Sequence, residues 1–435
     1  MKTLVWCGIL AACAVAEPLT WDKLIASADE DPVLQASQKK QTAIGDRSGT
    51  RLWDDLEFEY TLDGFGFLEH DFELKLKPKA FGESSADEAY WKSQADYQRA
   101  LLNYDRSAVM YERYEHALRY VLRGQIRSIH EQLAQIAEDR IQVLQAMTGS
   151  ETFRLQDLVT AMEAQASISA KLVSDSNSMN DSKLKLLSFV DGYDSIAIDS
   201  SILPSIDELK GILKDMPMDA EKYADVAAAK AKWQVNEKKA DQDAAGERNY
   251  ISKIGVGYKY VHAKYKYKWV TQSCSGSSCV EEWQLQRTDD DRRTQDKFYA
   301  SIAVRLPFFS GKNSSNLKRQ IDVLESERDY QEAKRDLSQK VERLREEILG
   351  LIAERDVQQK FVEQVDQGSL FEDFATKAGN DPLLLLRAKE SSLESRLKIV
   401  QLDMEIFSIY LDMLDRMGAL ARTDVTNHLK AGPAK

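Results

Sequence analysis

The sequence predicts a mainly α protein that also contains two pairs of β-strands. Three observations support this: two proline-free stretches of about 65 residues with helical periodicity, four short stretches of alternating apolar and polar residues, and an internal duplication. The 435 residues include 71 acidic and 59 basic side chains but only 20 glycines and 8 prolines. This composition favours long helices, and it argues against a disordered chain and against a general nucleic-acid binder, which needs a basic surface.

The first 16 residues predict a secretory signal peptide. Lys2 precedes an apolar run that ends in Ala14-Val15-Ala16, a pattern typical of cleavage after Ala16. An alternative stays open, because Leu10-Ala11-Ala12-Cys13 also resembles a lipoprotein box, which would place a lipid on Cys13.

Cleavage after Ala16 would leave two cysteines in the mature chain. Cys274 and Cys279 flank four small polar residues. In an exported protein, this spacing predicts a small loop closed by a disulfide bond.

The first half of the mature chain divides at changes of periodicity. Residues 17–52 predict an N-terminal helix with a turn at Asp31-Pro32, and 53–78 predict the first β-hairpin, because apolar residues alternate with charged ones. Residues 82–190 predict the first long helical hairpin, which turns near Gly149.

Two further segments connect the halves. Residues 191–218 have mixed character and are predicted to form an equatorial segment, and 219–249 predict a helix that leads to the second strands.

The second half repeats this order. Residues 250–308 predict the second β-hairpin, interrupted by a polar loop at 270–296, and 311–422 predict the second long helical hairpin, which turns near Gly379. Residues 423–435 form a C-terminal tail.

The duplication is visible in turn residues that recur at an offset of 229 or 230. The matching pairs are Pro78 and Pro307, Gly82 and Gly311, and Gly149 and Gly379. A repeat of this length indicates two equivalent structural halves.

The strands have the length of transmembrane β-strands, about 9–11 residues. Four strands cannot close a barrel, and open sheet edges cannot lie in lipid, so the chain is predicted to pool its strands with two further copies. One face of each strand is apolar and the other charged, which predicts a water-filled lumen. Aromatic residues stand near the strand ends, where an interfacial belt is expected: Trp53, Trp269, Phe308 and Phe309.

Several motifs resemble one family. Leu19-Thr-Trp-Asp-Lys-Leu24 with Asp31-Pro-Val-Leu34 resembles an opening helix, and Val304-Arg-Leu-Pro-Phe-Phe-Ser-Gly311 resembles a strand-to-helix passage. The stretches after Gly149 and Gly379 resemble two helical turns. In this order, and duplicated, these features are similar to the TolC family of outer-membrane efflux and secretion channels.

The resemblance implies a homotrimer with a twelve-strand β-barrel in the outer-membrane lipid of a Gram-negative bacterium, continuous with a twelve-helix α-barrel in the periplasm. It implies a passive exit duct of a tripartite efflux or type I secretion system, without enzymatic activity, cofactor, metal or nucleic acid. The implied partners are a periplasmic adaptor (membrane fusion protein) and an inner-membrane RND or ABC pump.

In this family the helical turns form the gate at the periplasmic entrance. The residues that this places near the gate are Gly149, Arg154, Asp157, Glu372, Asp373, Gly379, Asp381 and Arg387. Where the best-known member has an acidic pair, this chain has Leu383-Leu-Leu-Leu386-Arg387. We therefore expect an entrance that is apolar or cationic.

A second function class is a surface-anchored structural or adhesive coiled-coil protein without transport. It explains the long helices and the cysteine loop. It does not explain why strand pairs with one charged face recur at matched offsets.

Overall fold

The computed structural model describes residues 17–45, 53–63, 69–149, 153–217, 219–261, 267–271, 283–287, 295–304, 312–366 and 382–433. The chain divides into two compact units. The helical unit comprises the described residues of 1–43, 97–231 and 328–435, and the strand unit those of 44–96 and 232–327.

Long helices dominate the structure. The helices are α1 Trp21–Ala26, α2 Pro32–Gly45, α3 Glu83–Ala146, α4 Leu155–Ser188, α5 Ile206–Asp215, α6 Ala224–Glu247, α7 Lys312–Asp366, α8 Pro382–Arg416 and α9 His428–Ala431. The strands are β1 Leu19–Thr20, β2 Trp53–Asp63, β3 Glu69–Pro78, β4 Ile196–Ala197, β5 Ile251–Val261, β6 Tyr267–Thr271, β7 Trp283–Arg287 and β8 Gln295–Val304.

No helix in the described part of the chain has both the length and the apolar character needed to cross a membrane.

The strand unit contains one four-stranded antiparallel sheet in the order β2-β3-β5-β8. The two strand pairs predicted from the duplicated halves meet at the β3–β5 ladder, where Leu74 lies opposite Val256. The sequence halves therefore combine into a single sheet rather than two separate hairpins.

The predicted loop at 270–296 needs correction. Tyr267–Thr271 and Trp283–Arg287 form an antiparallel ladder of their own, so parts of both ends of this segment are strand. The physical reason is β-propensity: Tyr, Trp, Val and Thr cluster in these two stretches, and pairing satisfies their backbone groups. Cys274 and Cys279 lie outside the described residues, as do Cys13 and Ala16.

The predicted N-terminal helix over 17–52 also needs correction. Leu19–Thr20 forms a parallel ladder with Ile196–Ala197 of the equatorial segment, and α1 and α2 are separated by a 3₁₀ turn at Ser27–Glu30. Leu19 is fully buried in a cluster with residues of α3 and α4. Tertiary packing of this side chain outweighs the local helical pattern.

The helical unit is held together by apolar stripes at helical spacing. On α7 the buried positions are Leu337, Val341, Leu344, Ile348 and Ile352, which face the interior once per turn. On α8 the longest buried stretch runs from Leu402 to Leu414. Burial of these stripes, at about 25 cal/mol per Å², is the main term that stabilises the unit.

One buried arginine connects three segments of the helical unit. Arg113 of α3 is 1% exposed, and its guanidinium donates to the Ser27 carbonyl at 3.4 Å and to the Asp31 carboxylate at 3.3 Å. It also lies 4.6 Å from the ring centroid of Phe189, just after α4. Asp31 has a second role, because its other oxygen accepts from the Val33 N–H and caps α2.

Arg113→Met should detach the N-terminal helices from α3. The substitution keeps the apolar stem but leaves the Asp31 carboxylate and the Ser27 oxygens without their donor, at an expected cost of about 2–3 kcal/mol. Hydrogen exchange should show this loss in the opening free energy of residues 21–45. Arg119→Met is the control, because Arg119 pairs on the surface of the same helix with Glu115, and it should cost less than about 1 kcal/mol. Equal effects of the two variants would contradict this role.

The C-terminal tail is fastened to the same unit by a buried histidine. The Tyr114 hydroxyl lies 3.0 Å from His428 Nδ1 and accepts from the His428 N–H at 2.8 Å. His428 Nε2 lies 3.0 Å from the Arg422 carbonyl oxygen, and the Tyr410 hydroxyl donates to the Leu429 carbonyl at 3.1 Å. The Nε2 contact requires a proton on Nε2, so the neutral ring accepts from Tyr114 at Nδ1.

The attachment of the tail should weaken in mild acid. Burial lowers the pKa of His428, opposed in part by its bond to the Arg422 carbonyl. As the pH falls below about 6.5, the detached tail takes up a proton that the docked tail excludes, so the stability present above this pH is progressively lost. Hydrogen exchange of residues 422–431 between pH 5 and 7.5 should show this dependence in the parent. It should be nearly absent in His428→Gln and unchanged in Lys430→Gln, an exposed position on the same helix. A His428→Gln variant that retains the full pH dependence would contradict this assignment.

Candidate functional site

The four-stranded sheet has one exposed apolar face. Even-numbered residues of the four strands share this face, because the register pairs Phe58 with Leu74, Leu74 with Val256, and Tyr258 with Phe298. Phe58 is 67% exposed and Phe298 81%. A soluble protein would cover such a face, so this surface needs an apolar environment or a partner.

Aromatic rings group on the part of this face near the β2–β3 turn. Tyr60 stacks on Phe72 at a centroid distance of 4.8 Å, and its hydroxyl lies 2.8 Å from His70 Nδ1. Tyr258 and Phe298 continue the group at 4.9 Å. Among the predicted belt residues, Trp53 begins β2 and is 45% exposed. Trp269 is in β6, but its side chain lies outside the described part, as do Phe308 and Phe309.

The opposite face is charged, and its charges pair across strands. Lys253 of β5 lies 2.9 Å from Glu57 of β2. Lys75 of β3 contacts both Glu59 and Glu73. The odd-numbered positions therefore form a hydrated ionic surface.

Two glycines in β5 shape this charged face. A Cβ atom at Gly257 would come within 2.3 Å of the Tyr299 ring, and one at Gly255 within 2.3 Å of Glu73. The space left by these glycines lets Tyr299 of β8 cross β5, where its hydroxyl donates to Asp71 at 2.7 Å. Ser301 crosses in the same way and donates to Glu73 at 2.8 Å. Gly255 and Gly257 therefore allow direct ties between β8 and β3.

Both edges of this sheet are open in the part of the chain that the structure describes. β2 pairs only with β3, and β8 pairs only with β5. Each edge strand therefore presents a row of backbone N–H and C=O groups suited to pairing with another chain.

Gly257→Val should displace the Tyr299 ring and weaken the sheet. The ring must leave its place over β5, which breaks its bond to Asp71, at an expected cost of about 1–3 kcal/mol. Hydrogen-exchange protection of residues 251–261 should decrease. The double variant Gly257→Val/Tyr299→Ser removes the clash and should recover more than half of the protection. If the double variant is no better than Gly257→Val alone, the steric explanation is wrong.

The helical unit brings together the end of α3, the start of α4 and the start of α8, here called the turn end. Ile141, Leu144 and Ala161 form one buried cluster, against which Leu383 packs. Leu133 and Ile136 of α3 form a second with Leu393 of α8. The first residues of α8 therefore lie beside the last turns of α3.

Ion pairs tie these helices together. Arg140 of α3 and Glu390 of α8 are 3.2 Å apart and both half-buried. Farther from the turn end, the buried Asp175 of α4 accepts from Arg123 at 3.2 Å and lies 2.6 Å from His130, both of α3.

A similar pair connects α7 to α8. Arg355 donates to Asp403 at 2.5 Å. Burial raises the pKa of Asp403, while Arg355 acts in the opposite direction. A carboxylate removed from water in this way depends on its partner to remain charged.

The predicted gate residues are only partly brought together. Gly149 follows α3, Arg154 is the N-cap of α4, and Asp157 lies in the first turn of α4, where the helix dipole favours its charge. Arg154, Asp157 and Arg387 are exposed, and none makes an ion pair within the described ranges. Glu372, Asp373, Gly379 and Asp381 lie outside them.

Sequence reasoning missed Arg140 and Glu390. Both lie about two turns from the predicted gate residues. No local pattern marks them, because their pairing depends on the relative register of α3 and α8. The heptad pattern gives the buried stripe of each helix but not this register.

No protein-family model and no curated protein matches this chain. Solved structures do. The outer membrane protein VceC of Vibrio cholerae is 15% identical over 92% of this chain and 96% of its own, with a TM-score of 0.62. The CmeC outer membrane channel of Campylobacter jejuni is 9% identical over 92% of this chain and 85% of its own, also at 0.62. The MtrE outer membrane channel of Neisseria gonorrhoeae, in its open state, is 14% identical over 92% and 88%, at 0.58.

At these identities the likeness establishes the fold. The chain has the fold of these outer membrane channels over nearly its whole length. The predicted fold class is confirmed as mainly α, with long helical hairpins and strand pairs, and the resemblance to TolC-type channels is confirmed at the level of fold.

Proposed function

We propose that this chain is the outer-membrane exit duct of a tripartite efflux or type I secretion system in a Gram-negative bacterium. Three copies would form a passive homotrimeric channel, with the strand units in the outer membrane and the helical units in the periplasm. A periplasmic adaptor and an inner-membrane pump of the RND or ABC type would open it.

The observation that carries this proposal is the sheet with two open edges, one apolar face and one charged face. Four strands cannot close, so β8 of one copy needs β2 of another, and three copies supply twelve strands. Closure would turn the apolar face, with Phe58 and Phe298, toward lipid. The ion pairs of Lys75 and Lys253 would line a hydrated lumen.

The gate is proposed at the turn end. Arg140 and Glu390 connect the two helical hairpins there, and the clusters beneath them are small. Gly149, Arg154, Asp157 and Arg387 lie in the same helices or the adjoining turn, and we propose that they face neighbouring copies or the entrance. A gate requires helices that separate at modest cost, and a few polar ties meet this requirement.

The deciding experiment is single-channel conductance of the purified mature protein in a planar bilayer, with its mass measured on the same preparation. We expect a trimer with a small and stable conductance, because the entrance is closed without partners. A monomer without conductance would contradict the proposal and favour the structural or adhesive coiled coil.

Removing the tie between the hairpins should open the entrance. Arg140→Ala leaves Glu390 without its partner, and we expect the single-channel conductance to rise several-fold. The charge swap Arg140→Glu/Glu390→Arg restores the attraction and should return the conductance close to that of the parent.

The matched control is Arg127→Ala, because Arg127 also pairs with a glutamate but within α3, with Glu131. It should leave the conductance unchanged. If Arg127→Ala opens the channel as much as Arg140→Ala, or if the charge swap does not reverse the effect, the tie does not hold the gate.

A further inference from the structure

A groove of about 960 Å³ lies among α3, α4, α7 and α8 in the helical unit. Its floor is apolar, since Leu118 and Leu411 are 4% and 1% exposed, and Met404 and Ile409 are half-buried beside them. Its neutral polar side chains are Asn177, Ser178, Ser182, Gln401 and Ser408. This size, with an apolar floor and a limited set of polar groups, is typical of sites for small organic molecules.

The basic side chains that line the groove are already neutralised. Arg119 lies 2.6 Å from Glu115 on its own helix. Arg123 pairs with Asp175, which is buried and does not line the groove, at 3.2 Å. Neither guanidinium therefore contributes an unbalanced positive charge to the groove.

Three carboxylates in the lining are not balanced. Asp181 of α4, Glu347 of α7 and Glu405 of α8 are exposed, and within the described residues none has a basic partner at ion-pair distance. They come from three different helices around the apolar floor. The groove therefore has a surplus of negative charge, which attracts cations and repels anions.

We propose that this groove binds organic cations with an apolar body. The cationic group would face Glu347, Glu405 and Asp181, and the apolar body would lie on Met404 and Ile409, where the flexible thioether adapts to different shapes. The biological meaning rests on the proposed function, since such a cation would be a cargo of the duct. The binding itself can be measured without transport.

Rhodamine 6G is a suitable probe, because it is a fluorescent cation with a large apolar ring system. Its anisotropy is measured with the full mature protein in detergent, against an empty-micelle blank. We expect saturable binding that weakens as the salt concentration rises. The double variant Glu347→Gln/Glu405→Gln should lower the affinity about tenfold, because two of the three unbalanced charges are lost.

The matched control removes the same two charges elsewhere on the same helices. Glu346→Gln/Glu394→Gln changes exposed glutamates of α7 and α8 that do not line the groove, and it should alter the affinity by less than about twofold. Met404→Gln tests the floor and should weaken binding several-fold while leaving the salt dependence unchanged.

Three results would overturn the proposal: no saturable binding, equal loss in the control variant, or equally tight binding of the anion fluorescein. Displacement of rhodamine 6G by micromolar Mg²⁺ would also overturn it, because the carboxylates would then form a metal site. Mass and conductance are measured on the same preparation. A conducting trimer that fails to bind overturns this inference alone, whereas a monomer without conductance overturns the proposed function.

Discussion

The open edges of the four-stranded sheet are the constraint on which the rest of the structure depends. Backbone groups on β2 and β8 need partners, and the apolar face that carries Phe58 and Phe298 needs cover. One chain supplies neither. In water such a sheet is an aggregation hazard, whereas in lipid it becomes stable only when every edge is paired. Assembly with other copies is therefore a condition for the stability of this unit.

The duplication has a physical role in meeting this constraint. Because the two halves carry equivalent strand pairs, β3 and β5 pair across the repeat and build one wide sheet from two narrow hairpins. The glycines of β5 then allow side chains of β8 to reach β3 directly. These ties cross a whole strand, so they couple the two halves of the repeat and resist slippage of the register.

Periodicity predicted much of this fold, but not the contacts that fix it. The alternation in β2 and β5 and the heptads of α7 are local patterns, and local patterns survive folding. The β1–β4 ladder, the role of Arg113 and the Arg140–Glu390 pair depend on residues far apart in sequence. Arg113 gives no local signal, because a helix with many arginines hides the buried one. The gate prediction was incomplete for the same reason: it named turn residues, whereas the tie lies two turns away.

Stability is unevenly distributed along the helical unit, and this favours movement at the turn end. Near the tail, Tyr114 and Tyr410 are fully buried, and hydrogen bonds connect α3, α8 and α9. At the turn end the two clusters have three buried residues each, and Leu155 and Leu384 are 67% and 48% exposed. Local opening costs least where little apolar surface is buried. The exposed leucines can be covered only by neighbouring chains, so the same feature that makes this end easy to open also makes its state dependent on what binds there.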